Sequence, residues 1–351
     1  MEAITSPTLL IDTERCLANI YRMADRAQQH GLQLIPHFKT HQHGQVGALL
    51  SEIGVKEIAV TSLRMAREHH KNWQAITIAM PVNPREIPEL ATLSAEVNLT
   101  VFLCDAKTAA DISRESAADF RYYIEIDAGY GRSGVGIEDE AAIRSIIAAT
   151  AHHQFRGFYV HSGHTYDTRS TNEIKEIHQS TLRSLRKLRN TFSDFPALEI
   201  TIGDTPACST QEDFSGVDAI GPGNFIYYDL VQEGLGSCTP DDIAICLAVP
   251  VVQVHAARGE VIVHGGWVQL GKDQLADGTY GRIVRIDDEG KRSGIVPGAA
   301  VVKLSQEHGT IRLPAAILEK LQTGDLLGIL PVHACAMVHG MRATGEQILI
   351  P

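Results

Sequence analysis

The 351-residue chain has no uninterrupted apolar run near the roughly 20 residues that a membrane-spanning helix needs. Its opening, Met1-Glu2-Ala3-Ile4-Thr5, lacks the basic-then-apolar plan of a secretory leader. No Cys-x-x-Cys pair occurs. The six cysteines (Cys16, Cys104, Cys208, Cys238, Cys246, Cys335) are widely scattered, which predicts reduced, mostly buried thiols with Cys335 as the exception. There is no basic run and no acidic tail: the net charge of -11 is spread along the chain, which argues against nucleic acid or an anionic membrane as partner. Long-period repeats and low-complexity segments are missing as well. These absences leave a globular protein, expected in the cytoplasm.

What is present is an apolar fraction of 44%, enough to bury at least one full core, in a length that suits a large barrel plus an appendage. From Leu32 to Asp229, runs rich in Val, Ile, Phe and Tyr alternate with amphipathic stretches, the pattern of βα units around a parallel sheet. Strands are predicted at 32–40, 57–61, 75–80, 99–104, 122–127, 157–161, 198–203 and 219–225. Eight parallel strands predict a closed (β/α)8 TIM barrel. Leu17, Ile20, Met23 and Ala27 recur at helical spacing, so a first helix should start near Thr13. Asn83-Pro84 reads as a cap before a first-turn proline, and 174–192 as a long amphipathic helix. After Gly234 the pattern changes to short runs at 248–254, 261–263, 281–286 and 328–329, which predict a C-terminal β domain. The apolar strand Thr8-Leu9-Leu10-Ile11 has no place in an eight-strand barrel and is expected to join that domain. The division is therefore a barrel over 12–235 and a β domain made of 1–11 and 236–351.

In such a barrel the reactive groups collect at the C-terminal strand ends. Lys39, in Pro36-His37-Phe38-Lys39-Thr40-His41, closes the first apolar strand. A partly desolvated amine there is the type that forms a Schiff base with a carbonyl compound or with pyridoxal 5'-phosphate. Taken alone it would more simply be a lysine packing its stem and sending its head to water, but the neighbouring strand ends deliver matching chemistry. The fifth runs into Asp127-Ala128-Gly129-Tyr130-Gly131-Arg132, and the sixth ends at His161-Ser162-Gly163-His164-Thr165-Tyr166. Arg132 could bond a phenolate oxygen or a carboxylate. His161 could stack on an aromatic cofactor or be a core histidine. Asp127 is expected to orient Arg132 or a backbone loop. Gly203 and Thr205 follow strand seven, and Gly221, Gly223 and Asn224 follow strand eight. Those loops commonly bind phosphate through main-chain N–H groups, although each alone would pass for an ordinary turn.

One further motif is Pro331-Val332-His333-Ala334-Cys335. On an extended strand residues i and i+2 share a face, so an imidazole and a thiolate would converge on one ion, a pair that suits zinc, with manganese or cobalt as partial substitutes. Two ligands leave positions open for water, substrate or a third side chain.

Thr8 after Pro7, Pro36-His37-Phe38-Lys39-Thr40-His41, His161-Ser162-Gly163-His164, Gly221-Pro222-Gly223-Asn224 followed by Tyr228-Asp229, Leu304-Ser305-Gln306-Glu307-His308-Gly309 and His333-Ala334-Cys335 together resemble the D-serine dehydratase and D-threonine aldolase family of fold-type III pyridoxal phosphate enzymes, relatives of alanine racemase. The resemblance covers nearly the whole chain in order. It implies a cofactor carried on Lys39, Arg132 supporting the ring hydroxyl, His161 stacking on the ring, Tyr166 near the pyridine, metal ligands His333 and Cys335, and a homodimer. Two segments depart from the family pattern, Val263-His264-Gly265-Gly266-Trp267 and Met337-Val338-His339-Gly340. The activity it implies is that of a metal-assisted lyase of a D-3-hydroxy amino acid, first a dehydratase of the D-serine dehydratase (ammonia-lyase) type and, as the alternative, an aldolase of D-threonine or another 3-hydroxy-D-amino acid acting by retro-aldol cleavage. An amino acid racemase and a non-catalytic cofactor carrier are the rival readings; an additional β domain of roughly 110 residues speaks against the carrier.

Overall fold

The computed structural model describes residues 4–115, 120–150, 153–344 and 346–351. The chain divides into two compact units, one made of residues 21–39 and 43–223, the other of 1–20, 40–42 and 224–351.

The first unit is a parallel sheet alternating with helices. Numbering strands along the chain, Thr8–Asp12 is β1, Gln33–Leu34 β2, Glu57–Val60 β3, Ala75–Pro81 β4, Asn98–Leu103 β5, Arg121–Asp127 β6, Val135–Gly136 β7, Gln154–Val160 β8, Glu199–Ile202 β9 and Ala219–Ile220 β10. The sheet order is β2-β10-β9-β8-β6-β5-β4-β3, with β7 as a short addition on β6. A parallel bridge from His37 to Ala59 joins the two ends, so the eight expected strands close on themselves in a TIM-like ring.

Two of those strands are shorter than the sequence predicts. The first stops at Leu34, two residues before Pro36, which has no N–H for a ladder; beyond it only His37 bridges, and Lys39 stands in a turn instead of on the strand. The last stops at Ile220, where Gly221-Pro222-Gly223 interrupts pairing and Asn224–Ile226 winds into a 3-10 turn. The helices follow their signals. Thr13–Gln29 starts where Asp12 accepts the N–H of Arg15 at 2.8 Å. Thr171–Thr191 starts at Ser170, whose hydroxyl accepts the N–H of Glu173, and buries Ile174, Leu182, Leu185 and Leu188.

The second unit is antiparallel. Its strands are β1 with Ile245–His255 (β11), Glu260–His264 (β12), Gly281–Ile286 (β13), Arg292–Leu304 (β14), His308–Arg312 (β15), Leu326–Pro331 (β16) and Glu346–Ile350 (β17). The order β12-β15-β14-β13-β16-β11 is closed by β11 pairing with β12, which makes a six-stranded ring without free edges. β1 and β17 extend it from β11: Thr8–Asp12 pairs antiparallel with β11 and parallel with β17.

Inside the parallel ring, apolar layers such as Phe102 with Tyr123 and Tyr159 meet a charged one. Arg156 of β8 bonds Glu57, at the start of β3, and reaches Glu199, at the start of β9, at 2.7 Å. Glu57 also accepts from Thr77 at 2.8 Å and from Gln33 at 3.3 Å. Tyr123 donates to Glu199 at 3.0 Å and accepts from Thr201 at 3.1 Å, with the guanidinium over its ring. These groups sit near the N-terminal strand ends, the end of such a barrel where side chains serve stability. Removing the cation alone would leave Glu57 buried without a counter-charge, so Arg156→Met should lower unfolding stability by about 3–5 kcal/mol. Pairing it with Glu57→Gln should recover part of that loss. Urea unfolding of the two variants checks both statements, and a loss below about 1 kcal/mol for the single change would mean that the network does not hold the ring.

Candidate active site

At the opposite, C-terminal strand ends a cavity of about 330 Å³ opens, lined among others by Lys39, Arg132, His161, Tyr166, Gly203, Gly221 and Gly223. Seven residues singled out from sequence thus share one space.

Lys39 is half-buried, and its main-chain N–H donates to His37 Nδ1 at 3.2 Å, which shapes the turn that presents it. His161 follows β8, and its Nδ1–H donates to the carbonyl of Gly203. Burial, helped by the cations Lys39 and Arg132, pushes its pKa down to about 3, so the ring is neutral. The edge of Tyr130 and the tilted ring of Tyr166 flank it, at centroid distances of 5.9 and 6.3 Å.

Gly203 and Gly221 face Tyr159, a buried residue that sequence patterning gives no reason to select. A Cβ on either glycine would fall on the Tyr159 hydroxyl, so here glycine answers a need for space. Thr205 opens the short helix Thr205–Thr210, and its N–H donates to the Tyr166 hydroxyl at 3.2 Å. Behind it the buried Asp204 accepts from Ala207 N–H and from Thr165, both at 2.9 Å. Asn224 belongs to the other unit, where its amide donates to Asp229 at 2.6 Å.

The loop after β6 divides its work between two carboxylates. Asp127 accepts the N–H groups of Gly129 and Gly131 at 2.9 and 3.0 Å. Burial alone would raise its pKa, but these donors hold it below the ordinary range. Asp127 therefore orders the loop backbone. The acid beside Arg132 is Glu125, 3.7 Å from its guanidinium. Sequence reasoning missed Glu125. Its signal was a charge inside the apolar run Tyr122-Tyr123-Ile124-Glu125-Ile126.

His333 and Cys335 lie in the antiparallel unit, and there the strand geometry predicted for them is overturned. β16 ends at Pro331, Val332 is a bend, His333 directly precedes the helix Ala334–Thr344, and Cys335 is in the first turn of that helix. The helix starts this early because buried Asp229 accepts the N–H of Ala334 at 2.9 Å. The two side chains still interact: a hydrogen bond to Cys335, followed by the charges of Cys335, Asp229 and Asp273, lifts the His333 pKa to about 9 against the cost of burial. His333 Nδ1 lies 3.3 Å from Asp273, and the Cys335 sulfur 3.1 Å from the Thr40 hydroxyl. Among the described residues no group of three or more His, Cys, Asp or Glu side chains is placed to hold a metal ion.

The geometry can be set beside known proteins. The chain is 28% identical to D-threo-3-hydroxyaspartate dehydratase of Delftia sp. over 95% of its own length and 91% of that protein. It is 25% identical to D-serine dehydratase of Dictyostelium discoideum over 95% and 90%. The solved structure of the Delftia enzyme superimposes with a TM-score of 0.90 at 25% identity, covering 99% of this chain and 95% of that one. Two variants of that enzyme are also similar, with TM-scores of 0.91 and 0.89 at 25% identity, covering 99% and 97% of this chain and 93% of each of theirs; they replace a histidine and a cysteine two positions apart, and the cysteine variant is described as metal-free. The family model "Putative serine dehydratase domain" matches residues 244–344. "Alanine racemase, N-terminal domain" matches residues 11–230, well over half of the chain, and the protein belongs to that family.

Proposed function

We propose that the protein is a pyridoxal phosphate-dependent, metal-assisted dehydratase of a D-3-hydroxy amino acid, acting in the cytoplasm as a homodimer. The observation that carries it is the opening of the Lys39 amine onto the same cavity as neutral His161, the Arg132 cation and the main chain at Gly203, Gly221 and Gly223. The full-length similarity to two dehydratases supports it.

The lining fits the cofactor. An amine suits its aldehyde, an uncharged imidazole suits an aromatic face, a guanidinium suits its phenolic oxygen, and side-chain-free glycines let an anion approach the main chain. Bound there, the cofactor would supply an electron sink for negative charge at the substrate α carbon. Lys39 Nζ would take the α proton, His161 and Tyr166 would fix the ring plane, and Arg132 would hold its anionic edge. His333 and Cys335 fit a borderline-soft divalent ion such as zinc by donor type, one nitrogen and one sulfur, and the matching His-x-Cys spacing of the variants made in the Delftia enzyme, one of them described as metal-free, supports a metal at that pair. Such an ion would polarise the departing hydroxyl.

Purified protein with pyridoxal phosphate should be yellow, and borohydride should fix the label on the peptide containing Lys39; a label elsewhere would overturn the assignment. Lys39→Ala should lose the colour and cut turnover by about 10²–10⁴-fold. Incubation with D-serine, D-threonine and 3-hydroxy-D-aspartate should release keto acid and ammonia. Glycine with an aldehyde would favour aldol cleavage, the activity named for similar aldolases, and inversion without a metal would favour a racemase. Chelation should reduce dehydration by about 100-fold or more while the colour stays, with zinc restoring it best. Native-rate turnover by protein shown metal-free by elemental analysis would sink the metal role.

A further inference from the structure

We infer that Glu125 is the positioning residue for Arg132, its buried carboxylate holding the guanidinium in one place at the cavity. This rests on the cofactor reading above. Glu125 is 4% exposed and lines the cavity, yet nothing in the proposed chemistry uses it.

Three groups converge on it. Ser133 Oγ donates to Oε1 at 3.0 Å, the Cys104 thiol donates to Oε2 at 3.6 Å, and the Arg132 guanidinium lies 3.7 Å from Oε1. Burial, then the charge of Glu125 itself, raises the Cys104 pKa and keeps that thiol a donor. Backbone geometry enforces the convergence. Gly134 has φ +103°, and a Cβ there would meet the Glu125 carbonyl and the Asp127 N–H. Only glycine lets the loop fold back this tightly, which lays Ser133 and Arg132 along β6, and β7 then pairs with β6 at Ile126 and Asp127.

Arg132 itself is half exposed, on a loop whose glycines 129 and 131 also have left-handed φ. Its guanidinium carbon also lies 5.4 Å from the Tyr130 ring. A long side chain on such a loop spreads over many rotamers, and ordering it costs entropy. A buried anion at its root selects one set. At 3.7 Å the pairing is electrostatic and leaves the N–H donors to address a bound ring.

The test uses the cofactor-loaded protein and the variants Glu125→Gln, Glu125→Asp, Arg132→Ala and the Gln–Ala double. Glu125→Gln should shift the cofactor absorption band in the same direction as Arg132→Ala and weaken cofactor binding by about tenfold. The double variant should show no more than Arg132→Ala alone, and Glu125→Asp should restore part of the wild-type band. Additive effects in the double, or a wild-type band in Glu125→Gln, would overturn the inference. Should Glu125→Gln fail to fold, Ser133→Ala, which loosens the carboxylate without changing charge, should give a smaller shift of the same sign; no shift would count against it. A second arm needs no cofactor: phenylglyoxal should modify Arg132 several-fold faster in Glu125→Gln or Ser133→Ala than in wild type, read by mass spectrometry, and equal rates would overturn the inference. Absence of any label on Lys39 in wild type would instead refute the cofactor reading and leave this arm to decide about Glu125.

Discussion

A buried charge pair governs the barrel. Arg156 and Glu57 come from strands 99 positions apart in sequence and are almost fully removed from water. Taking two ions into a low-dielectric interior is costly unless both are saturated with partners. Here they are: Glu57 has Gln33 and Thr77 besides the guanidinium, and Arg156 has Glu199 and the Tyr123 ring as well. Because each partner comes from a different strand (β2, β3, β4, β6, β8, β9), the network can be satisfied only in the register that closes the ring. It therefore specifies the arrangement more than it adds to stability.

That division frees the other end. At the cavity the same residue types are held loosely: Arg132 is half exposed and 3.7 Å from its carboxylate, whereas Arg156 is buried and in direct contact with two. An arginine whose donors are already engaged has nothing to offer a ligand. One steadied at a distance by a buried anion keeps its donors for whatever enters. The neutral state of His161 follows the same logic, since burial next to two cations removes the proton that would repel a further positive group.

How much of this was legible depends on the kind of signal. Strand positions were readable because Val, Ile, Phe and Tyr runs end at Gly, Asp or Pro, and the ring could be counted from them. The strand lengths at Lys39 and Phe225 were overread, since apolar composition continues past Pro36 and Gly221 while the ladder does not. The roles of Glu125, Tyr159 and Arg156 are not legible in sequence for one reason. Period-two alternation shows which residues share a face, but inside a closed ring both the apolar layers and the charged floor lie on the inward face. Only the three-dimensional pairing separates a buried acid that holds a barrel shut from one that faces a cavity. For Asp127 the sequence leaves two roles open, orienting Arg132 or a backbone loop; its oxygens are engaged by Gly129 and Gly131, so it orders the loop, and the acid two residues earlier, on the same face, stands beside the guanidinium.

The His333-x-Cys335 motif makes the last distinction. On a strand a two-residue spacing would bring the two side chains to one face, and the chain achieves the same encounter from the residue before a helix and that helix's first turn. What permits this is Asp229. It is buried, and its oxygens are engaged by the Asn224 amide, by the N–H of Gln232 in the helix Leu230–Gly234 that it caps, and by the N–H of Ala334, which opens the helix that carries Cys335. A carboxylate engaged in that way is a poor candidate for a ligand despite its closeness to His333. The imidazole and the thiol are then left as a pair, the donor set with open positions that the proposed chemistry requires.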